Sequence, residues 1–335
     1  MPEGFSLLLL VVVLLAVAFD YINGFHDTAN AIATSVSTRA LRADHAILMS
    51  ASANFLGALT GTAVAKTIAS GIADTPDGSA GQIIVAAALV GAIIWNLITW
   101  RLGIPSSSSH ALIGGLIGSV IAASGTGALK IDGIVNKVLV PLVSSPIIGV
   151  VLGFFLMVVI LNVFKRAHPR RLNDRFRVLQ VISAGFMAFS HGSNDAQKTM
   201  GIITLALIGA GILPHGAPIP LWVIILAASA MSLGTAAGGW RIMKTMGQKV
   251  VKLDPVHGFA AETTASAIIL TASHFGMPVS TTHVISSAIM GVGSSDRLSA
   301  VRWGVAGNIM VAWVLTIPAS GAAAWLAWEV LTRVL

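Results

Sequence analysis

The chain has no cysteine. Disulfides, thiol chemistry and cysteine-ligated metal centres are therefore excluded. Charge is also scarce: Asp, Glu, Lys and Arg make up 10% of 335 residues, against roughly 25% in a soluble domain. Runs of alternating apolar and polar residues are missing too, which removes a membrane β-barrel and leaves helices as the spanning element. Met1-Pro2-Glu3-Gly4 lacks the basic residues of a signal peptide, so the first apolar run reads as a retained helix. The nine histidines show no spacing of a structural metal site. No metal and no cofactor are expected.

What remains is apolar. Hydrophobic residues form 55% of the chain, and the mean hydropathy is +0.86. Long apolar runs cover residues 6–19, 83–100, 138–164, 221–233 and 303–326. A span needs about 20 apolar residues, and by that length rule roughly ten to twelve segments are membrane-embedded, some as half-helices. The net charge of +7 reflects loop orientation rather than nucleic-acid binding. Its densest stretch, residues 165–177, reads as a cytoplasmic loop by the positive-inside rule. Binding of anionic lipid is a second reading of the same stretch.

Two polar strings occur twice in this apolar background, in the same order. The acidic strings are Gly24-Phe25-His26-Asp27-Thr28-Ala29-Asn30 and Gly192-Ser193-Asn194-Asp195-Ala196-Gln197-Lys198-Thr199. The hydroxyl strings are Pro105-Ser106-Ser107-Ser108-Ser109-His110 and Pro278-Val279-Ser280-Thr281-Thr282-His283. Lys66-Thr67 and Lys244-Thr245 repeat between them, as do Gly103-Ile104-Pro105 and Gly276-Met277-Pro278. Residues 1–130 are read as repeat one, 131–177 as a connecting helix and basic loop, and 178–295 as repeat two. Residues 296–335 are C-terminal helices serving as scaffold or interface. The fold class is all-α and polytopic, with two repeats, broken helices and re-entrant hairpins. Polar interruptions at matching places in a duplicated membrane protein read as a transport site between the repeats.

Each string carries its own chemistry. Asp27, Asn30 and Thr34 share a helix face. Gly24 before them is read as a helix break that frees N–H groups for an oxyanion. A carboxylate with an amide and hydroxyls also suits a small cation. An intramembrane Asp is costly, and duplication in Asn194-Asp195 favours function over a capping role. Ser106, Ser107, Ser108 and Ser109, with Ser280, Thr281 and Thr282, sit where helices start. Capping explains one hydroxyl in each string; the rest suit a tetrahedral oxyanion held by neutral donors. Glu262 reads as a coupling-ion ligand or as a first-turn residue complementing the helix dipole. Lys198 pairs with Asp195, contacts an anion or snorkels to water. His110 and His283, like His26 and His191, are proton relays or structural side chains.

These strings resemble those of the inorganic phosphate transporter (PiT) family, in its bacterial low-affinity branch. The resemblance covers nearly the whole chain. It implies secondary active import of inorganic phosphate, inverted repeats working by alternating access, and a homodimer in a prokaryotic cytoplasmic (inner) membrane. It places Asp27, Asn30, Asn194 and Asp195 at the site, with the Ser/Thr strings as donors; Thr34, Lys198 and Thr199 complete the set. Asp27, Asp195 and Glu262 are the coupling-ion residues. Arsenate or a metal–phosphate complex would be further substrates. Two departures bear on coupling. Sodium-driven relatives commonly carry Asn where Lys198 stands, and some carry Glu where this chain reads Ser52-Ala53-Asn54. Both favour protons over sodium. A sulfate or other oxyanion permease of the same fold, an anion channel and a lipid-phosphate enzyme are the competing readings.

Overall fold

The computed structural model describes residues 6–334. Met1-Pro2-Glu3-Gly4, and with it the signal-peptide reading, lies outside them. Every named element among the described residues is helical. α1 (Leu7–Ser37) starts where the Ser6 side chain accepts from Leu9 N. α2 (Ala43–Ala58) and α3 (Ala63–Ser70) form a pair bent by 70°. α4 (Ser79–Leu102) and α5 (Ser108–Ser124) follow, then α6 (Ile131–Ile134), which runs through a π-helical turn into α7 (Val140–Val163). The second half repeats this order. α8 (Pro169–Gly209) is followed by the bent pair of α9 (Leu221–Ala237) and α10 (Trp240–Lys244), then α11 (Pro255–His274), α12 (Thr281–Asp296) and α13 (Trp303–Val334). Lys66 and Lys244 both fall in the second arm of a bent pair.

Among the described residues, four helical stretches are long and apolar enough to cross a membrane: Leu7–Ser37, Ser79–Leu102, Ile131–Val163 and Trp303–Val334. Counting each bent pair as one span gives six, and Ser108–Ser124 is a shorter apolar helix. The chain is a multi-pass membrane protein.

Two sequence expectations change, one at Gly24 and one at the basic stretch 165–177. Gly24 and Gly192 do not break their helices; α1 and α8 run straight through both acidic strings. The glycines mark close crossings instead. A Cβ on Gly24 would overlap Met231 O on α9, and one on Gly234 would overlap Tyr21 O on α1. The other half repeats this: Gly192 sits against Asn54 O on α2, and Gly57 against Phe189 O on α8. Membrane helices use small residues to bring backbones together in this way. The basic stretch 165–177 is a loop only to His168, because Pro169 at the first helical position of α8 starts the next helix. Gly103 and Gly276 adopt φ of +67° and +65°, the left-handed conformation that ends a helix and that glycine takes without steric penalty.

The halves exchange helices. α7 packs on α12, while α13 packs on α4 and α5; α2 lies along α8 and α9 along α1. Two apolar cores result. α1 gives Leu9–Phe19 side chains to one and Ala29–Ala33 to the other. α8 gives Met187 and Ala188 to the second core and Ala196–Leu207 side chains to the first. The acidic strings lie at the seam between them.

Candidate functional site

α5 and α12 begin at the seam. Ser107 and Ser280 cap them, their side chains accepting from His110 N and His283 N. The capping reading thus takes one hydroxyl from each string. The first N–H groups of a helix lack intrahelical partners, and both helices present them among the remaining hydroxyls. Ser108 Oγ is buried and has no hydrogen-bond partner. Ser106 Oγ donates to Thr99 Oγ1 at 2.8 Å.

α1 and α8 bring the carboxylates. Asn30 Nδ2 donates to Thr282 Oγ1 at 2.9 Å and to Thr281 Oγ1 at 3.3 Å. Thr281 Oγ1 donates to Asp195 Oδ2 at 3.1 Å, and Thr282 Oγ1 lies 3.5 Å from Asp27 Oδ1. Lys198 Nζ donates to Asp195 Oδ1 and to Ser109 Oγ, and to Val279 O at 3.1 Å. Lys198 is 1% exposed. The pairing reading therefore holds, and snorkelling to water is excluded. All four strings meet in one buried network, with partners up to 255 residues apart. The hydroxyl strings of the two halves touch each other as well, since Ser109 Oγ donates to Val279 O at 3.3 Å.

Histidines flank both carboxylates. His26 Nδ1 is 2.6 Å from Asp27 Oδ1, and its Nε2 is 3.0 Å from Thr99 Oγ1. His191 Nδ1 is 3.1 Å from Asn54 Oδ1, and its Nε2 is 3.1 Å from Asp195 Oδ2. Ligand atoms of Asp27, His191 and Asp195 lie within 4.8 Å of one another. That grouping is tight enough for a cation, and the Lys198 ammonium already supplies one positive charge to it. His110 and His283 stand ring to ring, centroids 4.8 Å apart, and His283 stacks on Trp313 at 4.0 Å.

Other expected residues land elsewhere. Glu262 is in the third turn of α11, not the first, so complementing the helix dipole is not its role. Its carboxylate accepts from Thr34 on α1 and Ser183 on α8, and from Gln180 Nε2 at 3.2 Å. Thr34 thus serves Glu262, two turns along α1 from Asp27. Asn194 Nδ2 turns to α11, donating to Ser273 Oγ at 2.8 Å, while its Oδ1 is buried and unpartnered. Thr199 Oγ1 is likewise buried without a partner. Sequence reasoning passed over Gln180, Ser183 and Thr99, and noted Asn54 only as the place of a glutamate in relatives; all four orient site residues from other helices. It also passed over Asp20 and Asn23, although they precede Asp27 by seven and four residues, the spacing of one helix face.

Comparison with known proteins finds relatives over most of the chain. The model of the phosphate transporter family matches residues 23–324. A probable low-affinity inorganic phosphate transporter of Bacillus subtilis is 49% identical over 328 residues, 98% of either chain. One of the same description from Rhizobium meliloti is 49% identical over 93% of either chain. The solved structure of a sodium-dependent phosphate transporter superposes with a TM-score of 0.85 at 25% identity, covering 98% of this chain and 100% of its own. With the four strings, their convergence and a matched stretch that takes in all of them, the chain belongs to the phosphate transporter family.

Proposed function

We propose that this protein imports inorganic phosphate across the cytoplasmic membrane by symport with protons. One central site is exposed alternately to either side by two inverted halves. The convergence of both acidic and both hydroxyl strings in one buried network carries the reading. The anion is held by neutral donors: Ser108 Oγ, the neighbouring hydroxyls and the first N–H groups of α5 and α12. Asp27 and Asp195 accept from a protonated phosphate oxygen. A site with such an acceptor disfavours fully ionised sulfate, which has no donor to offer it. Arsenate shares the phosphate chemistry and is carried too. Burial of Asp27, Asn30, Asp195 and the hydroxyls fits an occluded stage of the cycle.

Protons are favoured over sodium for two reasons. Lys198 places a fixed ammonium on Asp195, where a mobile cation would otherwise be needed. Glu262 is held by hydroxyls and an amide, with no lysine or arginine paired to it among the described residues. A carboxylate so buried is suited to bind and release a proton. The basic stretch 165–177 faces the cytoplasm in this reading, and the protein works as a homodimer.

The test is uptake of labelled phosphate by purified protein in proteoliposomes. An inward proton gradient in sodium-free buffer is expected to drive phosphate above its external concentration, and equimolar sulfate is expected to leave the rate unchanged. Accumulation only under a sodium gradient removes the proton assignment. Downhill flux without accumulation makes the protein a channel.

A further inference from the structure

One face of α1 carries five buried polar side chains: Asp20, Asn23, Asp27, Asn30 and Thr34. Their spacing alternates three and four residues, so they form a single stripe. At 1.5 Å per residue the stripe is about 21 Å long. Its middle is the anion site, and Thr34 at one end binds Glu262. Asp20 at the other end has no assigned part.

Asp20 is fully buried, and neither carboxylate oxygen has a hydrogen-bond partner. Asn23 and Thr199 face it, and Asn23 Oδ1 and Thr199 Oγ1 are themselves buried and unpartnered. The charged groups acting on Asp20 are Asp195 and Lys198, both on α8. Of the other helices packed closely on α1, α9 has no ionisable side chain, and α4 has only Arg101 near its C-terminal end. An ionised carboxylate buried without a partner costs several kcal/mol. A proton removes that cost. The protonated acid can donate as well as accept, and Asn23 and Thr199 lie within its hydrogen-bonding reach. A sodium ion at Asp20 would also meet the repulsion of the Lys198 ammonium.

We propose that Asp20 is a proton-carrying residue of the transport cycle, the counterpart of Glu262 at the opposite end of the stripe. This rests on the proton-symport reading given above. The O–H bond forms with a proton taken from water when the site opens on the entry side. It breaks when the site opens on the exit side, returning the proton to water there. Each transfer breaks one O–H bond as it makes another, from hydronium to the carboxylate on entry and from the carboxylic acid to water on exit.

The experiment uses full-length Asp20→Asn in proteoliposomes, with Asp20→Glu beside it. Under an imposed pH gradient in sodium-free buffer, Asp20→Asn is expected to lose accumulation at least tenfold, roughly the effect of losing the gradient's pull. Phosphate–phosphate exchange at equal pH is expected to persist, and Asp20→Glu to accumulate. A second readout is proton uptake on adding phosphate to detergent-solubilised protein in weak buffer; Asp20→Asn should take up about one proton fewer per phosphate than the wild type. Asp20→Asn accumulating as the wild type does, or binding as many protons, overturns the proposal. So does equal loss of exchange and accumulation in both variants, which marks a positioning residue. If wild type accumulates under the pH gradient and Asp20→Asn does too, only this inference fails. If wild type itself responds to sodium alone, the parent reading fails with it.

Discussion

The Lys198 ammonium is bound by Asp195, Ser109 and Val279 O, all within one buried pocket. Breaking a buried pair leaves an uncompensated charge, at a cost of about 3–5 kcal/mol. Lys198→Asn should therefore lower phosphate uptake at least tenfold in sodium-free buffer. Added sodium should restore part of it by supplying the missing charge to Asp27, His191 and Asp195. Unchanged sodium-free uptake would show that the ammonium is dispensable. The hydroxyls divide by partner. Ser108 Oγ is free to meet an anion, so Ser108→Ala should weaken phosphate binding by about 1.5–3 kcal/mol, roughly ten- to hundredfold in Kd. Ser107 Oγ is occupied as a helix cap. Ser107→Ala should instead cost about 1 kcal/mol of stability, read as a lower melting temperature with a smaller change in Kd. Such a division was not legible in the sequence, where four serines in a row look alike. Asp27, Asp195 and the hydroxyl strings were legible, because each stands out against an apolar background and occurs twice. Gln180 and Ser183, which hold Glu262, were not: each is a single polar residue outside the repeated strings, distant in sequence from its partner.

At the level of elements, the meaning of the glycines changes most between sequence and structure. A glycine ahead of an acidic string is compatible with a helix break or with a close crossing. The sequence alone does not choose, since the crossing partner lies far along the chain. α1 and α8 remain continuous because α9 and α2 press against Gly24 and Gly192 and need the missing side chains. Gly192→Leu should destabilise the fold by about 1–3 kcal/mol or more through overpacking. It should lower the unfolding temperature in detergent, with loss of uptake following loss of folded protein. A fully stable Gly192→Leu protein would contradict the crossing. The helix starts at Ser107 and Ser280 were readable from Pro, Ser and Thr before an apolar run, and the turns at Gly103 and Gly276 from their matching sequence. Helix breaks therefore sit at the hydroxyl strings and at the bent pairs, while the carboxylates ride on unbroken helices. That gives the site two continuous helical walls and two helix starts.

In the whole molecule, the polar site is where two apolar cores meet. Each half lends a helix to the other, α7 to α12 and α13 to α4 and α5. Such exchange was invisible in the sequence, where 131–177 and 296–335 looked like additions to the repeats. The family has transporters as members, not enzymes. The central claim is that two halves build a single anion site from residues such as Asp27 and Asp195. Calorimetric titration of the purified protein with phosphate tests it most directly. One phosphate should bind per chain, and Asp27→Asn or Asp195→Asn should each abolish that binding in protein that remains folded. Two phosphates per chain, or wild-type binding by either variant, would contradict a shared site.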